Sequence, residues 1–147
     1  MIKVRSLAIV LLILTTMLAF EVQAVESKPD LTASMRTNLN ASVHDGEKIG
    51  RGQIFHQGEH VGFQVWLDAM KSGSAPERYV IRGRNNPSHE LRVVLGQDGW
   101  VPDDKEGRGI IKLTSEPQAV FDIVADGNQT LEPDEYSVMI YGAYLFP

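Results

Sequence analysis

Two short patterns in this sequence hold residue types that could do chemistry. His56-Gln-Gly-Glu59-His60 has the H-x-x-E-H order in which two histidines, four apart on a helix, meet a zinc ion. The flanks read as strands: Gly58 interrupts the pentapeptide, and Gly52 to Phe55 and Val61 to Leu67 are short β-type runs. On an extended strand, residues i and i+4 stand about 13 Å apart. The two histidines are therefore expected to flank a strand-connecting turn, and a secreted zinc hydrolase using His56, Glu59 and His60 is the outlying alternative. Asp126-Gly-Asn128-Gln-Thr130 alternates acidic and amide oxygens as the first half of a calcium loop does. Beyond it Leu131 stands where a glycine is needed, Pro133 intrudes, and Ser137 occupies the place of the bidentate glutamate. Ala125 to Glu135 is read instead as a polar connection capped by Asp and Asn side chains. No serine lies in a nucleophile elbow, no glycine-rich loop could cradle phosphate, and there is no cysteine. The expectation is a protein with no catalytic residues, no metal and no cofactor.

The chain that must position whatever function remains has 147 residues. Lys3 and Arg5 precede an apolar stretch from Leu7 to Phe20, and Val22-Gln-Ala24 has small residues where signal peptidase needs them, so residues 1–24 are read as a secretory signal peptide. Residues 25–147 are then one exported domain, large enough for its own core. Of 14 basic and 19 acidic residues, Lys3, Arg5 and Glu21 leave with the leader, so the mature part carries 12 and 18. An acidic surface disfavours nucleic acid and anionic membranes as partners. With no disulfide to staple it, the domain depends on burial.

Turn signals recur at short spacing, at Asp45-Gly46, Gly58, Lys71 to Pro76, Asn85-Asn-Pro87, Asp98-Gly99, Lys105-Glu-Gly107, Glu116-Pro117 and Asp126-Gly-Asn128. Between them lie runs of period two. Leu31, Ala33 and Met35, then Leu39, Ala41 and Val43, hold odd positions; Val61, Phe63, Val65 and Leu67 do the same while Trp66 faces away. Arg78 to Ile81, His89 to Leu95, Gly109 to Leu113 and Gln118 to Val124 complete the set. Seven or eight strands at this spacing favour an antiparallel sandwich over a barrel. The long loops Asp68 to Glu77 and Gly96 to Gly107 are natural recognition surfaces. Trp100 in the second is a candidate receptor contact, or else a lid folded onto the core.

The run from Tyr136 to Pro147 is almost unbrokenly apolar, aromatic and β-branched. Such a strand wants cover on both faces and partners on both edges, and no further strand follows it here. The missing neighbour is expected to come from another molecule. Val138, Ile140, Gly142 and Tyr144 share one face and are the candidates for lining the groove such a strand would fill; by parity alone Met139, Tyr141, Ala143 and Leu145 could be the inward set instead.

Gly62 to Leu67, Glu77 to Val80, His89 to Val93, Gln97 to Trp100, Val120 to Gln129 and Pro133 to Tyr136, taken in order, resemble the AfaD/AggB family of invasin-type fimbrial subunits across most of residues 50–147. The resemblance implies an immunoglobulin-like antiparallel sandwich lacking its last strand and completed by donor-strand complementation. It also implies export through a periplasmic chaperone and an outer-membrane usher, a major fimbrial subunit as strand donor, and display at the bacterial surface. Only one alternating run, Leu31 to Val43, precedes the strand near Ile49. A subunit so built accepts a strand and donates none, which places it at a fibre tip, where it would bind a host-cell receptor of integrin type. No Arg-Gly-Asp is present. A structural initiator of the fibre without receptor binding is the alternative. Some members carry a cysteine pair joining an early strand to the last, and the matching positions here are His56 and Tyr144.

Overall fold

The computed structural model describes residues 8–10, 21–23, 28–97 and 99–147. Within the expected signal peptide, β1 (Ala8–Val10) and β2 (Glu21–Gln23) pair antiparallel with Ala8 opposite Gln23. The rest of that segment, and residues 25–27 at the start of the expected mature chain, lie outside the described residues.

All remaining pairings are antiparallel too, and they build a two-layer sandwich. One sheet runs in the order β3 (Asp30–Met35), β5 (Lys48–Phe55), β12 (Gln118–Ala125), β9 (Glu90–Gly96), β8 (Arg78–Arg82) and β7 (Met70–Lys71). The other has β10 (Val101–Pro102), β11 (Ile110–Leu113), β6 (Gly62–Leu67) and β14 (Ile140–Leu145). A short ribbon of β4 (Ser42–Val43) and β13 (Gln129–Thr130) closes one end. Alternation explains the layers. Register rows Leu31–Ile54–Ala119, Ala33–Gly52–Phe121 and Met35–Gly50–Ile123 share the inward face of the larger sheet. Of these, Ile54, Ala119, Phe121 and Ile123, with Leu31 and Met35 packed against them, form one apolar cluster with Phe63, Val65 and Ile110 of the smaller sheet. Gly52 is required there, because a Cβ would stand 2.1 Å from the Phe121 ring atom Cζ.

Three expectations change in the structure. The alternating run 31–43 is not one strand: it breaks into β3 and β4, with residues 36–41 irregular between them. Both long loops carry two-residue edge strands, β7 and β10. The last strand begins at Ile140 and not at Tyr136. Tyr136 instead makes an isolated bridge to Gly83 beyond the end of β8, and the Arg84 N–H donates to the Glu135 carbonyl at 2.9 Å, so 134–136 is pinned to the Asn85 turn before the chain can join the smaller sheet.

Candidate functional site: the open seam between β3 and β14

Each sheet ends in a strand with one partner. β14 pairs with β6, from Ile140 opposite Leu67 to Leu145 opposite Gly62, and its other edge carries no strand among the described residues. β3 pairs with β5 alone among the described residues. Between the two free edges lies a cavity of about 290 Å³ lined by Leu31, Ala33, Met35, Val138, Met139 and Ile140. A second, of about 460 Å³, continues past Met35 towards Leu39, Leu131, Pro133 and Tyr136. Together they form a seam along the side of the sandwich.

The walls are apolar and inward-facing. Val138, Ile140 and Tyr144 pack against the core while staying half-buried, as do Leu31 and Met35 opposite. Ala33 faces inward yet is exposed, uncovered by any of the described residues. Gly142 sits where a Cβ would come within 2.7 Å of Ile54 Cδ1 and 3.5 Å of Leu31 Cδ2. Of the opposite parity, Met139 and Tyr141 are 62% and 40% exposed, and Leu145 alone is buried, at the strand's end. The structure therefore gives Val138, Ile140, Gly142 and Tyr144 the inward face. It adds a second wall, Leu31, Ala33 and Met35, whose odd-position spacing marked it as a strand but not as half of a seam.

Both ends of the seam are fixed by side chains. At one, the Asp134 carboxylate is wholly covered and accepts the N–H groups of Asn85 and Asn86 at 3.0 Å, that of Glu135 at 2.6 Å, and His89 Nδ1 at 2.9 Å. The Asn85 bond, helped by those of His89, Glu135 and Asn86, holds this carboxyl down at about 2 against the opposing effect of burial. At the other end the His56 ring stacks on Tyr144, with centroids 3.7 Å apart and planes 5° from parallel, and Tyr144 meets Phe146 edge-on. The two positions matched to a cysteine pair are thus in contact, and rings join β14 to the end of β5 there. Burial, then the neighbouring His60, lowers the His56 pKa below its ordinary value.

The motifs that could have carried chemistry serve structure. His56 and His60 do not stand about 13 Å apart as on a straight strand: the chain reverses after β5, and their rings lie 5.6 Å apart. Both His60 ring nitrogens are 2.7 Å from backbone carbonyls, those of Gly58 and Glu116. Among the described residues no group of three His, Asp or Glu side chains could hold a metal ion. In the calcium-like stretch Asp126 pairs with Arg78, the Gly127 N–H donates to Asp45 Oδ1 at 2.7 Å, and the Asp45 N–H donates to Asn128 Oδ1 at 2.9 Å, so two turns cap each other. Trp100 is 8% exposed, donates its indole N–H to the Val120 carbonyl at 2.7 Å and meets Phe121 edge-on. It is a lid on the core.

An immunoglobulin-like sandwich with an open seam between edge strands β3 and β14 points to the class of chaperone–usher fimbrial subunits. The chain belongs to the AfaD family: the model of the Enterobacteria AfaD invasin protein matches residues 39–142. It is 36% identical to protein AfaD of Escherichia coli over 132 residues, 89% of each chain, and 34% identical to E. coli AggB over 117 residues, 79% of this chain and 80% of that one. Among solved structures, the minor tip subunit HdaB of the E. coli Hda pilus superposes with a TM-score of 0.77 at 30% identity, covering 82% of this chain and 85% of its own. The protein is a minor fimbrial subunit of the AfaD/AggB type, exported to surface fimbriae, and not an enzyme. That removes the zinc hydrolase alternative.

Proposed function

We propose that this subunit sits at a fibre tip, accepts a strand along β14 from the neighbouring major subunit, and presents the domain for attachment to, or entry into, host cells. The observation that carries the reading is the seam: inward-facing Leu31, Ala33, Met35, Val138 and Ile140 are left partly uncovered between two free edges. A strand laid there would satisfy the outer N–H and C=O groups of β14 and place alternate side chains in the cavities. In the periplasm a chaperone would lend that strand, the usher would exchange it for the neighbour's, and Val138, Ile140, Gly142 and Tyr144 would line the site. Tip placement is supported by the N-terminal run, whose two strands are committed to β5 and β13 of the same domain, and by the likeness to a tip subunit. For the receptor we infer a host surface protein of integrin type.

The test is thermal unfolding of residues 25–147 alone and with a donor strand from the major subunit fused after Pro147. A large rise in melting temperature together with a monomeric state supports the reading. A stable monomer indifferent to the added strand removes it.

A further inference from the structure

On the outward face of the smaller sheet, Trp66 of β6 lies between side chains from both neighbouring segments. The Arg108 guanidinium carbon, just ahead of β11, is 3.9 Å from the Trp66 ring centroid. Tyr141 of β14, directly opposite Trp66 in the register, stacks at 6.1 Å between centroids with planes 20° apart. A cation, an indole and a phenol thus form a series across the sheet that stops at Tyr141. Tyr141 lies on the edge strand and is 40% exposed; Met139, next on the same face, is 62% exposed. Between ordinary neighbours such a ladder is a common cross-strand stabiliser. Here its last member stands at the edge where the proposed strand would add.

A strand paired to that edge would run about 4.8 Å from β14, with the Cβ of its residue opposite Tyr141 about 5 Å from that of Tyr141. The open face of an electron-rich ring takes a cation best, and a planar one can also stack. Charge agrees. The expected mature part carries 12 basic and 18 acidic residues, an excess of negative charge that favours a basic partner. We propose that the strand this subunit accepts carries an arginine at the outward-facing position opposite Tyr141, continuing the Arg108–Trp66–Tyr141 series by one member. The inference rests on the strand-accepting reading above. It assigns partner selection to the outward face of the added strand, while the inward face requires only apolar residues of fitting size.

The probe is a designed strand alternating Val and Thr, fused after Pro147 of the exported chain, with Arg, Lys, Thr or Glu at the position opposite Tyr141. Urea unfolding gives the readout. Arginine is expected to raise the urea midpoint over threonine by roughly 0.3–0.5 M, with Glu lowest. Tyr141→Thr should abolish the arginine advantage and Tyr141→Phe should keep it. Equal midpoints for all four strands, each well above the unfused chain, would overturn the ladder and leave strand acceptance intact. An equal gain from Lys and Arg would overturn the stacking and leave charge alone. Fusions no more stable than the unfused chain would remove strand acceptance and this inference with it.

Discussion

Ile81, Leu91, Val93 and Ile123 are at most 2% exposed, whereas Leu31, Met35, Val138 and Ile140 remain half-buried. Both groups are apolar and both point between the sheets, so residue type does not separate them. Neighbours do: β12 lies between β5 and β9, and β9 between β12 and β8, while β3 and β14 each have one partner. The sandwich is finished at one side and one strand short at the other. The largest effects should come from testing that contrast directly. Leu91→Ala is expected to cost about 2–5 kcal/mol in urea unfolding, with or without a fused donor strand. Ile140→Ala should cost only about 1 kcal/mol in the free chain and rise into the full range once a strand covers it. Equal costs for Ile140→Ala in both forms would mean that the seam is already closed.

A smaller effect is expected from filling the seam. Gly142→Val would push a branched side chain between Ile54 and Leu31, both of which already approach the position of a Cβ. Overpacking of this kind costs about 1–3 kcal/mol where neighbours cannot yield. In the free chain the open side lets them yield, so the penalty should appear mainly as reduced stabilisation by the fused strand. The same loss in both forms would place Gly142 in the finished core.

Period-two spacing made the inward face of β6 legible, since the parity of Phe63, Val65 and Leu67, with Trp66 facing away, is local information. It also marked the last strand as short of a neighbour, and in the structure Val138, Ile140 and Tyr144 pack against the core. Partner identity was not legible. The odd-position series reads as one run through 31–43 across polar Thr37, yet residues 36–41 leave the sheet, because alternation reports faces and not pairing. Tyr136 looked like strand for the same reason. What holds it elsewhere is a covered carboxylate, Asp134, bonded to a turn nearly fifty positions earlier. Trp100 lay in a glycine-bounded loop where the sequence left both a contact and a lid open, and it is Val120 and Phe121, across the fold, that hold it on the core.

That carboxylate sets the next prediction. Its folded pKa of about 2 lies below the ordinary 3.8, so the unfolded chain binds more protons between those values and stability falls as pH drops through that window. Above pH 3.8 the contribution is fully present. Asp134→Asn keeps an acceptor but loses the charge that four donors face, so its melting temperature should be lower at neutral pH. The gap to the native chain should close as pH approaches 2. A gap that persists at low pH would mean that shape, and not charge, anchors residues 134–136.

The smallest expected effect belongs to the opposite end of the seam. Burial and the nearby His60 lower the His56 pKa from 6.5, so the unfolded state binds more protons than the folded state in the window below 6.5. Stability should decline as pH falls through that window and level off below the folded value. His56→Phe keeps a ring against Tyr144 and removes the titrating group. Relative to the native chain, its melting temperature should rise on moving from about pH 7.5 to about pH 5. His56→Ala would lose the stack at both pH values and so reports packing alone. The two anchors of the last segment then fail in separate windows, the histidine near neutrality and Asp134 only in strong acid. Mild acid should loosen the Tyr144 end of β14 while residues 134–136 stay pinned, and amide exchange should quicken at 143–146 before it does at 134–136. Exchange that quickens at both ends together would show β14 and its lead-in to be one cooperative unit, with no separate anchors to lose.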